Sequence, residues 1–369
     1  MVFHVISEEP GPRFLGLPAG ERNARVVRRL GRLAADGAGK PEHESIPALR
    51  IPAGVVITPA LVAALPPPNG IWHLTWSDSR PPIVWRGPAL SAVEGPRGAG
   101  PLTRRLPDGA ALDVSTAAAR RRSAWRLLRA SGKPTDGWLA RHVHRKISRL
   151  GSYALLRLGL TANHATFLTF MIGVAAAWFA AQTTHATMIA AALLFWCASI
   201  ADGIDGEMAR LTLSESALGE HLDTSVDHAT YLLAFAGLMV GWWRQGMSRA
   251  GFALAVIVAV GLPLAVLWGV RQIRKVRAEP SQFLVDTKPI ELAVTAAARE
   301  TGAPALQMAS VLFVLFRRET FSLSFFLVSL FTARRVVYPT LLAIGLAIAT
   351  LTLAAYREAI ARALRSQWT

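Results

Sequence analysis

Cysteine is nearly absent from this 369-residue chain, which contains a single one, Cys197. One cysteine excludes an intramolecular disulfide framework and a metal site built from several thiolates. Charge is scarce as well, because Asp, Glu, Lys and Arg make up 17% of the residues, against about 25% in ordinary soluble domains. Hydrophobic residues reach 52%, and several apolar runs are long enough to cross a bilayer core. We therefore expect an integral membrane protein.

Acidic residues are fewer than basic ones, 24 against 40, and the formal net charge is +16. In a membrane protein such an excess usually lies on cytoplasmic segments that face anionic lipid headgroups. The sequence has no recognisable nucleic-acid-binding module, so nucleic acid is not an expected partner. The first residues, MVFHVISEEPGPR, also lack the basic-then-apolar order of a secretory signal. We expect the amino terminus to stay in the cytoplasm.

Composition divides the chain into two regions. Residues 1–135 are rich in Pro, Gly and Arg with short apolar patches, which predicts a small, loop-rich cytosolic α/β domain. Residues 136–369 form the predicted membrane domain with its juxtamembrane helix. The basic stretch 120–157 has apolar residues at helical spacing, which predicts a helix along the membrane surface.

The expected fold class is an all-α polytopic membrane domain with six transmembrane helices, preceded by the small cytosolic α/β domain. The connection QTTH after the first span has no Lys or Arg, whereas the loop after the fourth span and the C-terminal tail are basic. This asymmetry predicts that both termini are cytoplasmic, at the inner membrane if the protein is bacterial. The short fifth span is expected to gain length from the preceding ALQMASVLFVLF. The predicted spans are 165–181, 187–208, 220–243, 251–270, 320–333 and 336–356.

Four aspartates lie where a membrane span should avoid charge. Asp202 and Asp205 end the second predicted span, and Asp223 and Asp227 open the third. Their i,i+3 and i,i+4 spacings put each pair on one helix face, and the short turn between the helices brings the pairs together. Four carboxylates in such a place repel one another and need cations among them. Oxygen ligands without His or Cys suit two Mg²⁺ or Mn²⁺ ions, leave Ca²⁺ open, and do not suit Zn²⁺.

The residues next to these aspartates favour a nucleotide as the ligand. Gly206 and Gly219 leave room for a nucleotide to approach the backbone, and Arg210 offers a guanidinium fork suited to phosphate. Carboxylates within a membrane also mark ion or proton paths. A transporter or scaffold that uses the aspartates only to bind ions is therefore the alternative from another functional class.

The segment DGIDGEMARLTLSESALGEHLDTSVD resembles the signature of the CDP-alcohol phosphotransferase family (CDP-alcohol phosphatidyltransferases), D-x-x-D-G-x-x-A-R-x(8)-G-x-x-x-D-x-x-x-D. Every specified position matches, which has a chance on the order of one in ten million in a chain of this length. The family also has six spans, with the motif across the second and third. The matching residues are Asp202, Asp205, Gly206, Ala209, Arg210, Gly219, Asp223 and Asp227.

The resemblance implies an enzyme that moves a phospho-alcohol group from a CDP-alcohol to a hydroxyl acceptor and releases CMP. The four aspartates would bind two ions, Mg²⁺ or Mn²⁺, that hold the pyrophosphate of the donor. Asp227 would also be the general base that deprotonates the acceptor. Gly206, Ala209 and Gly219 would line the cytidine site, and Arg210 would contact phosphate. The resemblance further implies a homodimer embedded in membrane lipids.

A second family pattern, P-N-x-x-T before the first span, occurs here as Ala162-Asn163-His164-Ala165-Thr166. Asn163 and Thr166 are therefore candidate nucleotide contacts. Ala162 replaces the proline of the pattern, so the turn is less constrained here.

Residues 1–135 resemble a shortened nucleotidyltransferase domain, the one that precedes the phosphotransferase in bifunctional enzymes making CDP-inositol and then di-inositol phosphate phosphate. No glycine-rich nucleotide loop precedes GLPAGERNARVVRRLGRLAADG, and Gly54 stands where a metal-binding aspartate is expected. A nucleotidyltransferase needs the loop for triphosphate and the aspartate for Mg²⁺. We therefore expect a degenerate domain without that activity.

The sequence leaves the donor open between CDP-inositol and CDP-diacylglycerol. Arg145, Lys146 and Arg149 fit either an anionic acceptor, such as an inositol phosphate, or lipid headgroups. The charged segment Arg317–Glu319 is equally open between acceptor binding and anchoring at the end of a span.

Overall fold

The computed structural model describes residues 3–7, 11–30, 47–67, 71–77, 80–86, 102–132, 136–276, 288–315 and 317–366. The chain forms two compact units. The first consists of Met1–Asp136, Lys146–Ala165 and Ile204–Ser216. The second consists of Gly137–Arg145, Thr166–Gly203 and Ala217–Thr369. The units thus do not follow a single division of the chain at residue 135, and the predicted domain boundary stays a prediction.

In the part of the chain that the structure describes, all the strands lie in the first unit. A mixed five-stranded sheet has the order β1-β4-β7-β6-β8, with β1–β4 and β6–β8 parallel and the other pairs antiparallel. Two antiparallel pairs, β2–β3 and β5–β9, accompany it. This confirms the small α/β region. The strands are β1 (His4–Ser7), β2 (Arg13–Phe14), β3 (Leu17–Pro18), β4 (Ala48–Ile51), β5 (Val55–Ile57), β6 (Ile71–Thr75), β7 (Ile83–Arg86), β8 (Leu102–Arg105) and β9 (Ala111–Asp113).

Helices make up most of the described chain. One turn of π-helix, Ala140–His144, leads directly into the fourth α-helix. The α-helices are α1 (Ala19–Arg29), α2 (Pro59–Ala63), α3 (Ala117–Ala130), α4 (Arg145–Arg157), α5 (Ala162–Ala180), α6 (His185–Thr212), α7 (Ala217–Arg244), α8 (Arg249–Val276), α9 (Lys288–Thr301), α10 (Pro304–Leu315), α11 (Arg318–Phe331), α12 (Val337–Ala355) and α13 (Arg357–Ser366).

The sheet owes its stability to alternating apolar residues that bury one face. Trp85 on β7 is fully buried, meets the ring of Phe3 edge-on at 5.1 Å, and donates its indole N–H to the Pro66 carbonyl at 3.0 Å. Helix α1 adds Val26 and Val27 to the same core. The indole therefore buries its apolar ring without leaving its polar atom unsatisfied.

A second core in the first unit joins the α/β region to the C-terminal end of α6. The membrane-domain helices α4 and α6 contribute to it together with α1 and α3, so the N-terminal region and the end of α6 fold as one body. Its buried members are Phe14, Leu15, Ala19, Val56, Val114, Ala124, Leu128, Leu156, Ala165, Met208 and Leu211.

Within this unit, α4 packs closely on α6. A Cβ added at Gly151 would lie 2.6 Å from the Cδ1 of Ile204, so glycine permits the approach. Glu207 of α6 is fully buried, and its carboxylate accepts hydrogen bonds from the hydroxyls of Ser148 at 2.9 Å and Ser152 at 2.8 Å. A buried carboxylate needs such donors, since its water shell is lost on folding.

Helices occupy all six predicted spans, as α5, α6, α7, α8, α11 and α12. Two of them, α5 and α6, are long and apolar enough to cross a membrane. Helix α7 carries Glu220, Asp223 and Asp227 in its first half. Helix α11 has 14 residues, about 21 Å at 1.5 Å per residue, shorter than a bilayer core of about 30 Å. Six spans therefore stay a prediction.

The expected lengthening of the fifth span stays a prediction. Residues 305–315 of the apolar run lie in helix α10, and α11 begins at Arg318. Helix α10 buries Leu306 and Ala309 in a small core with α9 and α13. Two of its residues are thus used in packing between helices, whereas Met308, Val311, Val314 and Leu315 are exposed.

The structure explains the glycine at position 54. Gly54 has a φ of +74°, and its carbonyl accepts a hydrogen bond from the Val114 amide at 2.8 Å. A Cβ added at this position would lie 2.9 Å from the Cβ of Ser115.

We expect Gly54→Ala to lower the free energy of unfolding by about 1–3 kcal/mol. Gly16→Ala is the matched control, because φ is +83° there but the space around it is open. Equal losses in urea unfolding of the two variants would contradict the role of Ser115.

The buried carboxylate of Glu207 gives a second prediction. Glu207→Ala removes the acceptor of two buried hydroxyls, and we expect a loss of about 2–4 kcal/mol in unfolding free energy. Glu207→Gln keeps an acceptor oxygen and should lose less. Glu220→Ala, on an exposed position of α7, should be close to neutral. If Glu207→Ala unfolds at the same urea concentration as Glu220→Ala, the hydrogen bonds contribute nothing to stability.

Candidate active site

The two helices that carry the motif are joined by the short turn 213–216. Asp202 lies on α6, and Asp223 and Asp227 lie on successive turns of α7. One carboxylate oxygen from each of these half-buried aspartates lies within 4.8 Å of the others. The spacing argument thus correctly brought the α7 pair to the same place as Asp202.

Arg318, the first residue of α11, supplies positive charge to this group. Its guanidinium donates to Asp202 Oδ1 at 2.7 Å and also forms an ion pair with Asp227. The arginine side chain is only 15% exposed, and its Cζ lies 5.7 Å from the centroid of the Tyr231 ring. Ion pairing and the aromatic face compensate the loss of water around the guanidinium.

The adjacent Arg317 has a different partner. It pairs with Glu291 on α9, with Nε 2.9 Å from Oε2. The sequence singled out the segment Arg317–Glu319 without distinguishing its members. The structure distinguishes them, because neighbouring side chains at a helix start point to different elements.

A buried histidine, His144, lies close enough to Arg318 and Asp202 to feel their charges. The Nε2 of His144, in the π-helical turn, accepts a hydrogen bond from the indole N–H of Trp196 at 3.1 Å. Burial lowers the pKa of His144 to about 4, and the charge of Arg318 adds to this effect. The imidazole is therefore neutral at pH 7, as its acceptor role requires. Sequence reasoning missed His144 and Trp196, because RHVHRK indicated only a basic surface helix.

Asp205 is not one of the three clustered carboxylates. It lies one turn beyond Asp202 on α6, is buried in the first unit, and accepts a hydrogen bond from the Gly206 amide at 2.6 Å. The structure therefore brings together three of the four predicted metal ligands.

The remaining motif residues lie at helix ends. A Cβ at Gly206 would be 3.2 Å from the NH1 of Arg210, so glycine lets this guanidinium fold back along α6. Ala209 is half-buried, and its carbonyl accepts the Ser214 amide at 2.9 Å. Gly219 lies in the first turn of α7 and is half-buried. Their assignment to the cytidine and phosphate sites stays a prediction.

Asn163 and Thr166 lie in the first turns of α5. Asn163 is exposed, whereas Thr166 is buried. A contact between Thr166 and a nucleotide would require the hydroxyl to be reached from within the helix packing, so Asn163 is the more accessible of the two candidates.

The clustered oxygens fit a divalent cation. Carboxylates alone make up the group, and their mutual distances allow them to share one hard ion of the Mg²⁺ or Mn²⁺ type. The guanidinium of Arg318 already contacts two of the carboxylates. Positive charge is thus present beside the cluster in the form of a side chain.

A family model described as CDP-alcohol phosphatidyltransferase matches residues 160–299, which include the whole motif. Curated relatives include a bifunctional IPC transferase and DIPP synthase of Thermococcus kodakarensis, 36% identical over 137 residues, or 36% of this chain and 31% of that protein. A protein of the same description from Rubrobacter xylanophilus is 28% identical over 285 residues, 76% of this chain and 60% of its own length. The matches thus span about a third and about three fifths of these relatives.

The Rubrobacter match is longer than residues 136–369 and therefore includes part of the N-terminal region. This confirms that the N-terminal region resembles part of the bifunctional enzymes. A phosphatidylinositol phosphate synthase of Mycobacteroides abscessus is 31% identical over 156 residues, which are 42% of this chain and 67% of that protein.

Enzymes of this family generally depend on divalent metal ions, and the three-aspartate cluster is in keeping with that. The two long apolar helices, together with a family of membrane enzymes, indicate a membrane protein. On the match across the motif and the two-thirds coverage of a relative at 31% identity, the chain belongs to the CDP-alcohol phosphatidyltransferase family.

Proposed function

We propose that this protein transfers a phospho-alcohol group from a CDP-alcohol to the hydroxyl of an anionic alcohol at a membrane, with release of CMP. The observation that carries the proposal is the cluster of Asp202, Asp223 and Asp227, whose oxygens lie within 4.8 Å of one another inside a complete family motif. Such a group of hard oxygen ligands suits phosphoryl transfer better than packing, because it is costly to assemble without a cation.

The three clustered aspartates and Asp205 would hold two divalent cations, Mg²⁺ or Mn²⁺. When bound, these ions would neutralise charge on the pyrophosphate oxygens of the donor. Arg210 would contact phosphate. The cytidine would lie against Gly206, Ala209 and Gly219, with Asn163 and Thr166 as further nucleotide contacts.

In the proposed reaction the acceptor oxygen attacks the β-phosphorus of the donor. A new O–P bond forms while the bond from the β-phosphorus to the bridging oxygen breaks, and CMP leaves with that oxygen. Asp227 takes the proton of the hydroxyl as general base. Binding donor and acceptor side by side makes the attack effectively intramolecular, which supplies much of the rate.

An inositol phosphate is the acceptor we propose, because the relatives similar to this chain include proteins named DIPP synthase and phosphatidylinositol phosphate synthase. The donor is CDP-inositol or CDP-diacylglycerol, so the product belongs to inositol-phosphate-lipid or phospholipid biosynthesis.

Six spans, two cytoplasmic termini and a homodimer complete the proposal. The basic loop and tail support the orientation. Tags at both termini should be protected from protease added outside intact spheroplasts, and native mass spectrometry should give the mass of two chains. Cleavage of either tag or a monomer mass would contradict these two points.

The base assignment predicts that Asp227→Asn lowers CMP release by about 10²–10⁴-fold, the range of general acid–base catalysis. Binding of the CDP-alcohol should stay within a few-fold of the wild type, because the amide keeps the shape of the side chain. We therefore expect the variant to bind radiolabelled donor while CMP release is largely lost. Glu220→Gln, one turn before Asp223 on the exposed side of α7, is the matched control. Full activity of Asp227→Asn would exclude it as the base.

The donor is identified with purified protein, Mg²⁺ or Mn²⁺, and each CDP-alcohol offered separately with inositol phosphate. CMP release with one donor, lost in Asp223→Ala, would establish the enzyme and the donor together. Mn²⁺ movement across vesicles without any need for a cytidine nucleotide would favour the transporter alternative instead.

Arg318 offers a further prediction for the same site. Arg318→Lys keeps the charge, but the ammonium group lacks the fixed planar geometry of the guanidinium, whose NH1 contacts both Asp202 and Asp227. We expect CMP release to fall about 10–100-fold, as for the loss of one charged hydrogen bond. Arg334→Lys, an exposed arginine beyond α11, should leave the rate unchanged. Equal rates for both variants would contradict a bridging role.

A further inference from the structure

The turn between α6 and α7 separates the two halves of the motif, and its conformation is unusual. Leu213 has a φ of +55°, a left-handed conformation that leucine rarely adopts. The amides of Leu213 and Ser214 bond back to the carbonyls of Arg210 and Ala209 at 3.3 and 2.9 Å. These bonds leave the last carbonyls of α6, on Leu211 and Thr212, without partners in the helix.

Three arginines of the N-terminal helix α1 contact this end of α6. The guanidinium of Arg22 donates to the Leu211 carbonyl, and that of Arg25 donates to the Thr212 carbonyl at 3.2 Å. Arg29 forms an ion pair with Glu215 in the turn. The spacing of the three arginines puts them on one face of α1. Positive charge at the C-terminal end of a helix is favourable, because the helix dipole is negative there.

Arg22 makes the most demanding of these contacts. The residue is 4% exposed, and a guanidinium is costly to bury unless it is hydrogen-bonded. Burial lowers the pKa of Arg22 to about 10, with a smaller effect from the charge of Arg25, so the side chain stays charged at neutral pH. A buried cation directed at a carbonyl 189 residues away indicates a contact built into the fold.

Helix α1 is itself anchored to the α/β region by the next residue. The Asn23 amide group donates to the Val55 carbonyl at 3.0 Å and accepts the Ile57 amide at 2.9 Å. One turn of α1 thus connects β5 with the end of α6. Because α7 begins at Ala217, directly after the turn, fixing residues 211–215 also fixes where α7 starts.

We propose that Arg22 is a positioning residue for the metal cluster, assisted by Arg25 and Arg29. By holding the turn it sets the register between Asp202 on α6 and the two aspartates on α7. The N-terminal region thereby tightens divalent-metal binding, although none of its described residues lies in the cluster. This inference rests on the proposed function, because it assumes that the cluster binds a metal.

The test measures Mn²⁺ binding to the full-length protein in detergent, without substrates, from the electron paramagnetic resonance signal of free Mn²⁺. We expect Arg22→Met to raise the Kd about tenfold or more, and Arg22→Lys to raise it less. Arg28→Met, an exposed arginine of the same helix, should bind as the wild type does.

Wild-type affinity in a folded Arg22→Met protein would overturn the proposal. Failure of the proposed function gives a different result, because Asp223→Ala would then bind Mn²⁺ as the wild type does. If Arg22→Met does not fold, the ion pair between Arg29 and Glu215 provides the test instead. Arg29→Glu and Glu215→Arg should each raise the Kd about two- to fivefold, and the double variant should restore it. An unchanged Kd for Mn²⁺ in both single variants and in the double variant would also overturn the proposal.

Discussion

The arrangement of the site follows from one electrostatic constraint, namely that carboxylates within apolar helices need positive charge beside them. Asp202, Asp223 and Asp227 bring their oxygens within 4.8 Å of one another, and their mutual repulsion is strongest where water is excluded. Arg318 bridges two of them, which accounts for a nearly buried arginine at the start of α11. A divalent cation answers the same requirement with a more concentrated charge, and this links the geometry to phosphoryl transfer.

A second constraint applies to the end of α6, where helix, turn and next helix meet. Polar groups there are satisfied by distant parts of the chain: Glu207 by two serines of α4, and the last carbonyls by arginines of α1. The N-terminal region shares a hydrophobic core with this end. The motif helix therefore depends on the N-terminal region for its packing, whatever chemistry that region has.

The membrane part combines helices of different character. Helices α5 and α6 are long and apolar, whereas α7 begins with the acidic residues of the motif and α10 packs in a separate small core. The proposed transfer from a CDP-alcohol to a hydroxyl acceptor at a membrane needs both kinds of surface. With bound cations, the acidic ends of α6 and α7 would suit the pyrophosphate of the donor, and the apolar lengths of α5 and α6 suit lipid.

The sequence by itself determined the family, the motif, the helical segments and the small α/β region. These depend on local spacing: an i,i+4 pair such as Asp223 and Asp227 shares a helix face whatever surrounds it. Only the tertiary structure decided that Arg318 meets the carboxylates and that Arg22 reaches Leu211. Such contacts join residues far apart in the chain, and local periodicity carries no information about which side chain arrives from another helix.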